Sequence, residues 1–195
     1  MNVLVSTRTY DDLPRIAKWC ARHKVSRLLF LKFKLTENNR TCGAMVLSRE
    51  QERGLLPILR RLARSSGVLP MLDCSFFPAL AVDRPRKRDL ERFDVNGCQG
   101  AGAYLAVTVD GMVKPCSFWP EPLGGLELLT REAWVHADAF RAFRAASQSA
   151  QCRGCRYRDL CRGGCRVGGI PCCHPEDDQR VAVPGGDSAT APALR

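Results

Sequence analysis

The sequence predicts an α/β fold in which a short parallel sheet occupies the first half and a small cysteine-rich α+β region the second. The first half alternates strand-like and helix-like segments, an order that builds parallel sheets with helical crossovers. The second half holds eight of the eleven cysteines, all after residue 97. Hydrophobic residues make up 45% of the 195 residues, which is typical of a globular chain with one or two small cores.

Three strands are predicted in the first half, at residues 2–6, 27–35 and 68–74. Each is a short apolar run of strand length. Three strands are too few to close a barrel. The first strand would therefore leave an exposed apolar edge, which soluble proteins avoid, and we expect a missing part or a partner to cover it.

Two helices are predicted between these strands. The first begins at Asp11 or Asp12, either of which can cap a helix. The second begins after Ser48, with Gln51 three residues later as in a capping box, and Pro57 is expected to kink it. The apolar faces of these helices, at helical spacing, consist of Leu13, Ile16, Ala17, Cys20, Leu55, Leu56, Ile58, Leu59 and Leu62.

The second half contains a strong hairpin signal. Asp110-Gly111 stands between two strand-like runs, and this dipeptide favours a two-residue turn in which both residues have positive φ. A short helix is predicted over 136–147, before the last cysteines. We divide the chain into a three-strand domain, a linker, a cysteine-rich domain and a disordered tail, at residues 1–82, 83–97, 98–176 and 177–195.

The net charge of +10 could serve nucleic acid, an acidic peptide or an anionic cofactor. No compact basic block with interleaved aromatic residues occurs, so nucleic-acid binding is not expected. No apolar run approaches the roughly 18 residues that a membrane helix needs. The N-terminus also lacks the basic start and apolar stretch of a signal peptide. We therefore expect a cytoplasmic protein without a membrane partner.

The cysteines after residue 97 follow regular spacings. Twelve residues separate Cys98 from Gly111, and Cys116 follows that glycine after four. The hairpin reverses the chain, so Cys98 and Cys116 are expected to lie close together. A run of C-x2-C-x5-C-x3-C and one final cysteine come next, at Cys152, Cys155, Cys161, Cys165, and Cys172 or Cys173.

Crowded cysteines in a reducing compartment indicate metal ligation rather than disulfides. A C-x2-C loop lets two thiolates reach one metal centre, and four thiolates hold either one cubane iron–sulfur cluster or one structural zinc ion. Eight cysteines exceed the need of a single zinc ion, so two metal centres are expected. The alternative is a zinc-binding interaction module whose basic charge serves nucleic acid.

Residues 98–173 resemble the SPASM domain, the iron–sulfur extension of many radical S-adenosylmethionine (SAM) maturases. The signature of that family has seven cysteines, in the pattern C-x9–15-G-x4-C, C-x2-C-x5-C-x3-C and one more, and Gly163-Gly164 also agrees with it. The resemblance implies two [4Fe–4S] clusters. The implied ligands are Cys98, Cys116 and Cys165 for the first cluster, and Cys152, Cys155, Cys161 and either Cys172 or Cys173 for the second.

The resemblance leaves the fourth ligand of the first cluster open. Some members of the family supply it between the first cysteine and the glycine, but this chain has no cysteine between Cys98 and Cys116. The first cluster would then have one open iron or a ligand from elsewhere. Cys20 and Cys42 are interpreted as structural thiols. Cys74, which ends a strand near the domain junction, is also interpreted as structural, with a cluster role as the alternative. Five arginines are expected to face solvent, with tuning of a cluster potential as the alternative; they are Arg153, Arg156, Arg158, Arg162 and Arg166.

Residues 1–80 resemble the second half of the radical SAM barrel in the order of their elements. The C-x3-C-x2-C motif of that family is absent from the sequence. The chain alone is therefore not expected to bind SAM productively or to start radical chemistry. The resemblance implies a truncated or split maturase that needs a complementing N-terminal chain and acts on a peptide or protein. A decayed fragment without a stable fold is a third interpretation.

One position limits the reaction that the resemblance implies. Sulfatase-maturating relatives carry an aspartate directly after the second signature cysteine, where it acts as a base. This chain has Ser117 there. A sulfatase-type reaction is therefore not expected.

Overall fold

The computed structural model describes residues 1–145 and 155–167. The strands are β1 (Asn2–Val5), β2 (Arg27–Lys32), β3 (Leu69–Leu72), β4 (Ala106–Val107) and β5 (Val113–Lys114). The α-helices are α1 (Leu13–Arg22), α2 (Arg49–Ser65), α3 (Phe77–Val82), α4 (Lys87–Arg92), α5 (Arg131–His136), α6 (Asp138–Ala145) and α7 (Arg158–Cys161). Short 3₁₀ segments occupy Glu37–Met45, Cys74–Phe76 and Leu126–Leu128. None of the described helices is long and apolar enough to cross a membrane.

The first half forms a parallel three-stranded sheet in the order β1-β2-β3. Its register pairs Leu4 with Leu31 and Leu29 with Met71. The three predicted strands are confirmed, although β2 ends at Lys32, three residues before the predicted end. The predicted α/β class, with helical crossovers between parallel strands, is also confirmed.

Helices α1 and α2 pack on the same face of this sheet and build the main core. The core joins strand residues to the apolar stripes that the helical spacing predicted. Each fully buried aliphatic side chain stabilises the fold by roughly 1.5–3 kcal/mol relative to an exposed one. The fully buried residues of this main core include Val5, Leu13, Leu28, Phe30, Leu55 and Leu59.

The opposite face of the sheet is apolar and incompletely covered. Leu4 is 46% exposed and Leu69 is 36% exposed, although a sheet face of this composition is normally buried. The residues between them on this face, Leu29, Leu31 and Met71, are half-buried. Within the described residues, the sheet therefore has one packed face and one half-open apolar face, and β1 pairs only with β2.

The two helices begin close to the predicted positions. The Ser48 hydroxyl accepts a hydrogen bond from the Gln51 N–H at 3.1 Å, and the Gln51 side chain accepts one from the Ser48 N–H at 3.0 Å, so the predicted capping box is confirmed. Helix α2 runs through Pro57 as one helix. Helix α1 follows Asp12, whose carboxylate pairs with Arg15 at 3.0 Å instead of capping the helix.

The predicted hairpin is confirmed as the antiparallel pair β4–β5, but the predicted turn is wrong. Only Gly111 of the dipeptide has positive φ, at 79°. The Gly111 N–H donates to the Thr108 carbonyl at 3.0 Å, and the Thr108 N–H donates to the Met112 carbonyl at 2.9 Å. This pattern is a three-residue loop in which glycine follows an ordinary turn. Asp110 therefore keeps an ordinary backbone conformation.

A second, smaller core lies under this hairpin. Ala101, Val113, Phe140 and Phe143 form its buried centre, and tryptophan side chains pack around them. The single helix predicted over 136–147 is wrong in its start, since the chain forms α5 and α6 with a break at Ala137, which has extended φ and ψ. Residues 146 and 147 lie outside the described residues.

The two halves of the chain are tightly joined. The segment expected as a linker forms α4 and contributes Leu90, Phe93 and Val95 to the main core. Just after it, the Gly97 N–H donates to the Leu160 carbonyl at 2.7 Å. A Cβ atom on Gly97 would lie 1.4 Å from the carbonyl oxygen of Cys161, so only glycine permits this approach.

Candidate metal centre

Four cysteine thiols from separate segments lie in one group at the carboxyl end of the parallel sheet. They belong to the turn after β3, the loop before β4, the end of β5 and the turn after α7; these residues are Cys74, Cys98, Cys116 and Cys165. Burial raises the pKa of the neighbouring Tyr104 phenol, and all four thiols raise it further, because each lies within electrostatic reach of that phenol.

Backbone hydrogen bonds hold Cys98 beside Cys116. The Ala101 N–H donates to the Pro115 carbonyl at 3.2 Å, which ties the loop after Cys98 to the end of β5. A Cβ atom on Gly100 would lie 3.5 Å from the Cys98 sulfur and 2.8 Å from the Pro115 carbonyl oxygen, so this loop has no room for a side chain. The predicted proximity of the two cysteines is confirmed.

Cys74 and Cys165 form the second pair of the group. The two thiols are close enough to hydrogen bond, and this bond, with the Cys74 S–H donating, lowers the pKa of Cys165 to about 6. The same hydrogen bond, together with burial, raises the pKa of Cys74. The hydrogen bond between the two thiols therefore favours a negative charge on Cys165 over one on Cys74.

Two partly or fully buried cations flank the thiols. The Lys34 side chain is 9% exposed and its ammonium lies 3.3 Å from the Asp73 carboxylate. Burial opposes the charge on Lys34, but Asp73, Cys165 and Cys74 outweigh it, so its pKa is raised. Lys34 also lies 4.7 Å from the centre of the Phe118 ring, which comes from the loop just after Cys116.

The second cation is Arg166, whose guanidinium lies 3.7 Å from the centre of the Phe143 ring and donates to the Phe143 carbonyl at 2.5 Å. Burial lowers the pKa of Arg166, and the thiols of Cys98, Cys116 and Cys165 partly offset this effect. The expectation that the arginines of this region face solvent is wrong for Arg166. The ring of Phe143 and the nearby thiols attract the positive charge of Arg166.

A cleft of about 300 Å³ opens beside Cys98 and is also lined by Gly100, Arg162 and Arg166. The buried Nε–H of Arg166 has no hydrogen-bond partner among the described residues. Such an orphaned donor is costly unless an acceptor or an anion fills the space beside it. The four thiols, the cleft and the orphaned donor therefore fit an anionic, thiolate-bound cluster.

The number of thiols in the group matches the ligand set of one cubane cluster. Within residues 1–145 and 155–167, no three His, Cys, Asp or Glu side chains converge tightly enough to hold one metal ion. A cubane places one thiolate on each of four irons, so its ligands stand further apart around a common volume. The four thiols supply the number of thiolates that one such cluster takes.

The predicted ligands of the second cluster are only partly described. Cys161 is buried and Cys155 half-buried, and both pack against the main core. The chain turns sharply between Cys161 and Cys165, through three residues of positive φ at 162–164. Cys165 thereby joins the four-thiol group while Cys161 stays with the main core. Cys152, Cys172 and Cys173 lie outside the described residues.

Residues 98–156 match the family model of SPASM, described as an iron–sulfur cluster-binding domain. This segment is therefore similar to SPASM domains. The predicted resemblance is confirmed over the matched residues. A search of curated proteins found no match to this chain.

Solved structures share the fold over most of this chain. Native anSMEcpe with bound AdoMet matches 85% of this chain and 46% of its own, at 16% identity and a TM-score of 0.53. SuiB of Streptococcus suis matches 84% of this chain and 40% of its own, at 14% identity and a TM-score of 0.53. At such identities the likeness shows the fold, and the chain spans less than half the length of these enzymes. The predicted partial barrel with a SPASM domain is confirmed.

A third structure of this kind is anSMEcpe with bound AdoMet and the Kp18Cys peptide. It matches 85% of this chain and 47% of its own, at 15% identity and a TM-score of 0.51.

Lys34 was not predicted as a site residue, whereas Cys74 and Arg166 had a cluster role only as the alternative interpretation. Cys74 was interpreted as a structural thiol, yet it directly follows β3. In parallel sheets, functional groups gather at the carboxyl ends of the strands. That rule could have singled out Cys74 after the third strand and Lys34 after the second.

Proposed function

We propose that the SPASM domain holds two [4Fe–4S] clusters. Cys98, Cys116 and Cys165 bind the first cluster. The second is bound by Cys152, Cys155, Cys161 and either Cys172 or Cys173. The observation that supports the first assignment most strongly is that its three cysteines, distant in sequence, all lie near the Tyr104 phenol, while Cys98 also borders a cleft beside the unpaired Nε–H of Arg166.

The chemistry of the surroundings supports this assignment. A cubane with cysteine ligands is anionic, and nearby positive charge and hydrogen bonds raise its reduction potential. Arg166 and Lys34 supply that charge, and both contact ion-pair partners, carbonyls or aromatic rings of the protein. The clusters supply electron transfer when bound, while these residues hold their charge and limit solvent access.

The chain acts as the auxiliary part of a radical SAM maturase for a peptide or protein. It carries no C-x3-C-x2-C motif for a SAM-cleaving cluster. SAM cleavage must therefore come from another polypeptide segment, which we propose to be a complementing N-terminal chain of a truncated or split maturase. In this arrangement the auxiliary clusters relay electrons or position the substrate.

The half-open sheet supports a complementing segment. Leu4 and Leu69 are exposed on the face opposite the helices, and the outer edge of β1 has no partner strand within the described residues. Further strands beyond β1 would continue the sheet and cover this face, as closure does in a barrel. The likeness to enzymes of which the chain spans less than half is consistent with this arrangement.

Two ligand-replacement variants test the assignment of the clusters. The full chain is purified without oxygen as wild type, as C98S/C116S/C165S and as C152S/C155S/C161S, and iron, sulfide and zinc are measured. Wild type should hold about eight irons and each variant about four, as two independent cubanes require. C42S, outside both groups, serves as the control and should keep the wild-type content.

Two results would overturn the proposal. Zinc without sulfide in the wild type would indicate the alternative, a zinc-binding interaction module. Loss of all iron in either variant, with the control unaffected, would show that the cysteines form one shared centre rather than two.

A further inference from the structure

We infer that Cys74, at the end of the partial barrel, is the fourth protein ligand of the first cluster. This inference rests on the proposed function, because it concerns the same cluster. The sequence has no cysteine between Cys98 and Cys116 to complete that ligand set. The structure supplies a fourth thiol from outside the region that the SPASM family model covers, residues 98–156.

Cys74 is held at a defined position on the sheet. The Asp73 N–H donates to the Phe30 carbonyl at 3.0 Å, which continues the pairing of β3 with β2 up to the residue before the cysteine. The Asp73 carboxylate accepts hydrogen bonds from the Ser75 N–H at 2.9 Å and from the Lys32 N–H at 3.2 Å. The backbone on both sides of Cys74 is therefore fixed, as a metal ligand requires.

The thiol of Cys74 lies with the thiols of the proposed ligands. It is within hydrogen-bond reach of Cys165, and both lie near the Tyr104 phenol together with Cys98 and Cys116. The other two cysteines of the first half lie elsewhere: Cys20 is buried in the main core, and Cys42 belongs to the 3₁₀ segment before α2. Position, not the mere presence of a thiol, distinguishes Cys74.

The charge around Cys74 suits a thiolate ligand. The Lys34 ammonium interacts with the thiols of Cys74 and Cys165, while Arg166 interacts with those of Cys98, Cys116 and Cys165. Each of the four thiols thus has a buried cation within reach. These positive charges would stabilise four thiolates on one cluster far more than neutral thiols.

The ligation step is balanced by release of a proton. The Cys74 S–H bond breaks, the proton leaves to solvent, and the sulfur forms a bond to the iron that the other three cysteines leave open. The cluster then has four cysteine ligands and no open iron. The bond between Cys74 and iron would also link the SPASM domain to the end of β3.

Differential alkylation tests this ligation without any substitution. The anaerobic holo-protein and the same protein after removal of iron by a chelator are treated with iodoacetamide, and each cysteine is followed by mass spectrometry. Cys74 should react at least tenfold more slowly in the holo-protein, whereas Cys42, which is half-buried to a similar degree, should react equally in both. Equal reaction of Cys74 in both forms would overturn the inference.

A spectroscopic comparison tests whether removal of Cys74 leaves one iron of the first cluster open. Wild type, Cys74→Ala and Cys42→Ala are reduced with dithionite, incubated with ¹³C-labelled cyanide and examined by pulsed electron paramagnetic resonance. A ¹³C coupling should appear in Cys74→Ala alone, because only that variant has an open iron. A coupling of equal strength in wild type would refute ligation by Cys74. If wild type contained no iron and sulfide at all, the proposed function would fail first, so the two failures are distinguishable.

Discussion

The Lys34 ammonium lies 3.3 Å from the Asp73 carboxylate, at the carboxyl end of the sheet and next to the thiols of Cys74 and Cys165. Lys34 follows β2 and Asp73 follows β3, so the pairing of these two strands brings the two charges together. Both side chains are largely buried. The ion pair therefore holds a positive charge beside the proposed first cluster.

Replacing Lys34 with glutamine should lower the reduction potential of the first cluster. The reduced cluster carries one more negative charge than the oxidised one, and a nearby cation stabilises it. A single charge acting through partly buried protein, and partly compensated by Asp73, should shift the potential by on the order of tens of millivolts. Redox titration monitored by electron paramagnetic resonance measures the shift. Lys18→Gln, on the exposed side of α1, is the control, and equal potentials in all three proteins would contradict the role given to Lys34.

Replacing Gly97 with alanine should separate the two halves of the chain. The new methyl group would meet the Cys161 carbonyl oxygen at 1.4 Å, so the backbone must move and lose the hydrogen bond to Leu160. We expect a loss of roughly 3 kcal/mol or more in the free energy of unfolding. Denaturant unfolding of the holo-protein measures it. Gly43→Ala is the matched control, because nothing lies within 4 Å of a Cβ atom there, and equal stability of the two variants would show that the contact at Gly97 is not tight.

The buried ion pair between Lys32 and Glu52 should be costly to break from one side. Lys32 and Glu52 are 8% and 11% exposed, and Lys32 also lies 6.0 Å from the centre of the Phe76 ring. Glu52→Gln should lower the free energy of unfolding by about 3–5 kcal/mol, since it leaves the ammonium uncompensated. The double variant Lys32→Met/Glu52→Leu should recover most of that loss. Thermal unfolding measures both, and a double variant less stable than Glu52→Gln would contradict this explanation.

The buried phenol of Tyr157 should stabilise the contact between α7 and the first half. Its hydroxyl donates to the Pro85 carbonyl at 2.6 Å, and its ring meets that of Phe77 edge to face at 6.0 Å. Tyr157→Phe keeps the ring and removes the donor, so we expect a loss of about 1–2 kcal/mol. Tyr157→Leu, which removes the ring contact as well, should lose clearly more in the same unfolding measurement. Equal losses in the two variants would mean that the ring contact contributes nothing.

Local features of the fold were predictable from the sequence. The capping box at Ser48 and Gln51 depends on residues three positions apart, and the apolar stripes of α1 and α2 depend on helical spacing alone. The hairpin was also predicted, since Gly111 needs a positive φ. The type of its turn was not, because the choice between a two-residue and a three-residue loop depends on the hydrogen bonds that Thr108 makes across the hairpin.

The site was predictable only in part. The spacing of Cys98, Gly111 and Cys116 indicated their proximity, because a hairpin is a local structure. The place of Cys74 after a predicted strand was visible in the sequence, but its proximity to Cys165 depends on how the turn after α7 returns to the sheet, which leaves no pattern in the sequence. The same holds for Arg166, whose burial depends on Phe143 from a different helix.

The most direct test of the central claim is the content of iron and acid-labile sulfide in the full chain after anaerobic purification, with electron paramagnetic resonance on the reduced sample. About eight irons, matching sulfide and the signals of two reduced [4Fe–4S] clusters are expected, as two cubanes require. One or two zinc ions without sulfide would contradict the claim and make a zinc-binding interaction module the better description of this protein.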